Sequence, residues 1–100
     1  MTFAIITKDA EGSATTRAAH QDAHKRYLND NRAHLVAAGA MLQDDGSTAH
    51  GGILLVDFET REEVETFVHN DPFWDAGVFG DITITRWRKA FLDGERLVSL

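Results

Sequence analysis

The stretch Ile53-Leu54-Leu55-Val56-Asp57-Phe58 constrains this chain more than any other. It is the clearest strand in the sequence. Alternate side chains of a strand point to opposite faces of its sheet. Leu54 and Val56 fall on one face, Ile53 and Leu55 on the other, and both sets are apolar. The sheet around this strand therefore has to be covered on both faces.

The remaining elements follow in order. Thr2 to Thr7 is short, β-branched and aromatic, which predicts an inner strand. Lys8 to Ser13 is a charged loop with Gly12, and Ser13, Thr15 and Thr16 are candidate N-caps for a helix expected to run to about Ala38. Gly39 then fits the left-handed residue that closes a helix. Ala40 to Leu42 starts a second strand, joined to Ile53–Phe58 through the turn residues Gln43 to Ser47. Thr60 and Glu63 form a capping box ahead of a helix with Val64, Phe67 and Val68 on its apolar face. That helix is expected to stop near Asn70, because Pro72 disfavours helical geometry at Asp71. Phe73 to Gly77 is expected to form a short helical turn, and Asp81 to Arg88 a final strand. Residues 91–100 are a C-terminal extension, of which Leu97 to Leu100 is expected to add an edge strand or cross to a partner.

The order β-α-β-β-α-β predicts an α+β, ferredoxin-like fold over one domain, residues 1–100: an antiparallel sheet with two helices on one face. The other face is left open although its residues are apolar. A second copy packed sheet to sheet is the simplest cover, so the expected partner is a homodimer mate.

Composition narrows the function. With 43% hydrophobic residues the chain has enough for a small core. The net charge of −6 argues against nucleic acid and against an anionic membrane surface. There is no cysteine, hence no thiolate nucleophile and no thiolate metal site. The N-terminal residues lack the pattern of a signal peptide, and no apolar run approaches the about 20 residues that span a bilayer. The expected location is the cytoplasm.

The candidate site lies on the first helix. His20, His24, Leu28, Asn31 and Leu35 recur at steps of four, four, three and four, a single stripe on a helix extended to Ala38. His24, at the end of that stripe, is placed at a core edge, half covered and half in a cleft, where an imidazole can work as an acid or base.

The chain resembles the YCII-related (YciI-like) proteins, a dimeric α/β barrel group. The resemblance runs from Phe3 to about Phe91. It rests on Arg17 seven residues before His24, the run His24-Lys25-Arg26-Tyr27-Leu28, and the Ala38-Gly39-Ala40 break. It rests also on Asp45-Gly46, on Asp71-Pro72-Phe73 followed by Ala76-Gly77-Val78, and on a strand ending in Trp87. The resemblance implies a His–Asp pair, His24 and Asp71, in a cleft near a dimer interface, with Arg17 nearby for an anionic substrate group and Phe73 and Trp74 as walls. Two departures stand out. The family often has Gly-Pro where this chain has Gly39-Ala40, and Gly-Ser where it has Gly51-Gly52. A pocket hydroxyl is therefore missing at position 52, and His50 is the residue expected to take part of its place.

Three functions compete on these residues. The first is cofactor-free acid–base chemistry on a small, anionic or cyclic molecule, of lyase, isomerase or dehydrochlorinase type, with His24 and Asp71 as the catalytic pair. The second is a non-catalytic ligand-binding or accessory dimer on the same scaffold. The third is a metal site on His20 and His24, whose i, i+4 spacing can chelate zinc, although no Glu lies as in H-E-x-x-H and no third ligand is obvious. No haem-ligand signature is present, so the expected cofactor is none.

Overall fold

A computed structural model describes all residues, 1–100. The elements are β1 (Thr2–Asp9), α1 (Ala14–Asp30), a 3-10 turn (Arg32–His34), β2 (Leu35–Leu42) and β3 (Ala49–Asp57). There follow α2 (Arg61–His69), α3 (Pro72–Asp75), β4 (Phe79–Arg86) and a small hairpin of β5 (Phe91–Leu92) and β6 (Glu95–Arg96). The four long strands form an antiparallel sheet in the order β2-β3-β1-β4. This is the ferredoxin-like α+β arrangement, with β1 in the interior as its apolar run predicts.

The core lies between the sheet and α2. Phe3 and Ile5 of β1 and Leu54 and Val56 of β3 meet Val64, Phe67 and Val68 of α2. Half of the expected capping box forms: the Thr60 hydroxyl accepts the Glu63 backbone N–H at 3.2 Å, while the Glu63 carboxylate accepts from the Thr60 hydroxyl at 3.2 Å instead of from its backbone N–H. The first helix behaves differently. None of its residues is buried, and only Tyr27 and Leu28 reach the core cluster. The core faces of β2 and β3 carry Ala38, Ala40 and Gly52 beneath it, so small residues leave a gap between helix and sheet.

Two expectations about this region are corrected. The first helix ends at Asp30, not near Ala38, and Gly39 lies inside β2. Asn29-Asp30-Asn31 stops the helix, since Asn and Asp side chains compete for backbone groups. The Asn31 side-chain amide donates to the Tyr27 carbonyl at 2.8 Å, and its backbone N–H reaches Tyr27 and Leu28 carbonyls as well. Leu35 therefore belongs to β2, and the five-residue stripe is broken after Leu28.

The opposite sheet face carries no helix. Ile6 and Ile53, paired across β1 and β3, are 39% and 45% exposed. The C-terminal hairpin turns at Asp93-Gly94, both with positive φ, as a tight two-residue hairpin turn needs. Leu97 to Leu100 adds no strand. No helix is long and apolar enough to cross a membrane.

Candidate functional site

Asp71 is placed by its own local sequence. It precedes Pro72, the first residue of α3, and caps that helix: its Oδ1 accepts the Phe73 N–H at 2.9 Å. The cap fixes the carboxylate, which is only 3% exposed. His24, on α1, reaches it from across the fold. His24 Nδ1 lies 2.9 Å from both carboxylate oxygens. A carboxylate only accepts, so Nδ1 carries the proton and donates. Nε2 is then the nitrogen left for chemistry. The His24 ring also stacks on Phe73, centroids 4.0 Å apart and planes within 8°. Two contacts from one short helix, a carboxylate at the ring edge and an aromatic face against the ring plane, hold the imidazole in one orientation.

His24 lines a cavity of about 240 Å³ between α1 and the sheet. Arg17, Gln21, His24, Lys25 and Leu28 form its helix side. Thr7, Ala38 to Ala40, Gly52 and Leu54 form its floor, with Phe73 and Phe79 at the side. Its size lies under the roughly 300–1,000 Å³ typical of pockets for drug-sized ligands, which suits a single ring.

Arg17 belongs to this wall, but its charge is already answered. Nε donates to Asp9 Oδ2 at 2.8 Å, Nη2 to the Gly51 carbonyl at 3.3 Å, and the guanidinium lies over the Phe73 ring, 5.1 Å from its centroid. Gly51 lets β3 lie this close to β1, because a Cβ there would collide with the Thr7 carbonyl oxygen.

Tyr27 sits behind the pair. Its hydroxyl donates to the Phe67 carbonyl at 2.7 Å. Burial, and then the negative charge of Asp71, push the phenol up to about 12.

The structure thus brings Arg17, His24, Asp71 and Phe73 together, and it does not bring His50 or Trp74. Register between β2 and β3 shifts at Met41/Leu42, so His50 is the extra residue of a β-bulge. Its ring is exposed, with Nε2 3.3 Å from the Leu42 carbonyl rather than on the cavity wall. Trp74 follows Phe73 on a helix, where neighbours point about 100° apart. It is 43% exposed and packs against His69, ring centroids 4.3 Å apart. His20 and His24 do not converge either: His20 Nδ1 faces the Thr16 carbonyl at 3.0 Å, and no group of three His, Cys, Asp or Glu side chains gathers anywhere.

Sequence reasoning missed Thr7, Gln21, Lys25 and Phe79. For Gln21 the signal is present in the sequence. Arg17, Gln21, His24 and Leu28 recur at steps of four, three and four, and that line, not the one through His20, faces the sheet.

The fold defines a ferredoxin-like α+β protein, here with a small, partly apolar cavity that His24 lines. The comparisons agree with that class. The YCII-related domain family matches residues 1–88, and the chain belongs to it. Among solved structures, it is similar to the 5-chloro-2-hydroxyhydroquinone dehydrochlorinase of Burkholderia phenoliruptrix AC1100, solved in complex with 2,5-dihydroxybenzoquinone. Identity is 35% over 88% of this chain and 94% of that one, with a TM-score of 0.82. An uncharacterized NIPSNAP domain protein from Burkholderia xenovorans shares 12% identity over 93% of this chain and 100% of that one. Its TM-score of 0.47 is too low to bear on this chain. No curated protein matches.

Proposed function

We propose that this protein is an enzyme performing acid–base chemistry, without a cofactor, on a small hydroxylated ring compound, with His24 as the base and Asp71 as its orienting partner. The observation that carries this reading is the bond from His24 Nδ1 to the buried, helix-capping Asp71, on the wall of a cavity sized for one ring. Asp71 fixes the tautomer and stabilises the imidazolium formed when Nε2 takes a proton.

The similar dehydrochlorinase makes elimination the favoured reaction class. Nε2 takes a proton from a ring hydroxyl. The proton returns to the ring carbon that carries the chloride, giving the keto form; loss of a second hydroxyl proton then sends that oxygen's electron pair through the ring and expels chloride, leaving a quinone. Proton and anion together are the lost HCl, so the step balances with no electron acceptor. Phe73, Phe79 and Leu54 keep that ring away from bulk water. Thr7, Gln21 and Lys25 are the polar groups of the cavity not already used by Arg17's contacts, and they orient the substrate. The protein works in the cytoplasm as a homodimer paired through the open sheet face around Ile6 and Ile53, over the single domain 1–100.

The test is chloride release from 5-chloro-2-hydroxyhydroquinone under anaerobic conditions, with the parent and with His24→Gln. Accelerated release that falls at least about 100-fold in the variant supports the reading. Saturable binding of 2,5-dihydroxybenzoquinone with no chloride release favours a non-catalytic binding protein on the same scaffold. Neither binding nor release overturns both.

A further inference from the structure

We infer that the Thr7 hydroxyl is the polar anchor on the cavity floor, binding a carbonyl or phenolate oxygen of the ligand from the sheet side while His24 acts from the helix side. This rests on the reading of the cavity as the substrate site and adds the residue that selects for oxygen at that point of the ring.

Thr7 is 2% exposed, and its side chain shares the face of β1 that carries Phe3 and Ile5. It is the polar member of an otherwise apolar line. A buried hydroxyl without a partner is costly, and most find one. The Thr7 hydroxyl is engaged in none of the side-chain hydrogen bonds that tie β1 to its neighbours, which run from Thr2 to Asp57 and from Arg17 to Asp9. The single side-chain oxygen that is both sealed from solvent and unpaired is Asp9 Oδ1. Thr7 Oγ1, unpaired too, therefore keeps accessible surface, and the cavity that Thr7 lines is where that surface opens.

Gly52 keeps it open. Gly52 stands directly opposite Thr7 across the β1–β3 pairing. A Cβ at position 52 would lie 3.3 Å from Thr7 Oγ1 and 3.4 Å from the Gly39 carbonyl oxygen. Any side chain there would crowd the hydroxyl. The hydroxyl on this floor thus comes from β1, across the strand pair, and no polar group reaches it from His50 on its bulge. A quinone carbonyl and a phenolate oxygen both accept, so the Thr7 hydroxyl donates to either.

The test is titration of 2,5-dihydroxybenzoquinone into the parent, Thr7→Val and Thr7→Ser, with thermal melts to confirm that each folds. Valine keeps the β-branched shape and removes the oxygen; serine keeps the oxygen. The expected result is about tenfold weaker binding in Thr7→Val and near-parent binding in Thr7→Ser. Equal binding by the parent and Thr7→Val overturns the anchor and leaves the His24 site standing. Thr7→Ser binding as weakly as Thr7→Val overturns it too, because the loss then follows shape and not the hydroxyl. A parent that does not bind the quinone overturns both the anchor and the reading of the cavity.

Discussion

His24 and Asp71 are 47 residues apart in the chain and meet at 2.9 Å, through a carboxylate that also caps the helix following it. One residue therefore has two separable tasks, helix capping and imidazole orientation. Asparagine caps a helix about as well as aspartate, but it brings no charge to stabilise an imidazolium. Asp71→Asn is expected to fold with a melting temperature close to the parent and to lose activity by about 100-fold or more. Asp71→Ala loses the cap as well, so it is expected to be less stable than Asp71→Asn by about 1 kcal/mol in denaturant titration. Equal activity in the parent and Asp71→Asn would remove Asp71 from the mechanism.

Tyr27 reports on the same carboxylate. It is the single tyrosine of the chain, so phenolate absorbance follows one group. Its phenol is held up to about 12, by burial first and by the Asp71 charge second. A raised acid keeps its proton longer in the folded state than in the unfolded state. Its stabilising contribution is thus complete below the unfolded value of about 10 and is lost as pH rises through about 12. The alkaline titration of the folded parent is expected near 12, and Asp71→Asn is expected to lower it. A midpoint at the ordinary tyrosine value would contradict the placement of Tyr27 behind the pair.

Gly51 tests the Arg17 clamp. A methyl group at this position collides with the Thr7 carbonyl and with the Met41 side chain. Strand β3 would have to move away from β1, carrying with it the carbonyl that receives Arg17. Gly51→Ala is expected to cost about 1–3 kcal/mol of stability by overpacking, measured by chemical denaturation. A variant as stable as the parent would mean that the strands have slack here.

The open sheet face makes its own prediction. Ile6 and Ile53 are neighbours across the strand pair and exposed at its centre. A lysine at position 53 faces solvent comfortably in a monomer, but places a charge in the middle of a sheet-to-sheet contact. Light scattering on a sizing column is expected to give a dimer for the parent and a monomer for Ile53→Lys. A monomeric parent would leave the face without its proposed partner.

Much of this was legible from residue order, for physical reasons that differ along the chain. Thr60–Glu63 and Asp71–Pro72 are local signals whose geometry is set within a few residues, and α2 starts and stops where these residues put it. The end of α1 is hidden in the sequence because Leu28, Asn31 and Leu35 keep a helical interval through the Asn-Asp-Asn stop, and the alanines of β2 favour helix in isolation. Pairing with β3 overrides that preference. The resemblance puts His50 and Trp74 on the cavity, and local geometry decides otherwise. A bulge turns the first away, and the helical rotation from Phe73 turns the second. Thr7 was out of reach, because its role depends on an absent side chain on a different strand.

The central claim is that Asp71 holds His24 with its proton on Nδ1, so that Nε2 is free to act in the cavity. Nitrogen-15 NMR of the histidine rings, recorded where His24 is neutral, measures this directly. The expected result is the Nδ1–H tautomer for His24 in the parent, with a shift toward the Nε2–H form in Asp71→Asn. A parent His24 that carries its proton on Nε2 would contradict the account, since the nitrogen facing the substrate could not then serve as the base.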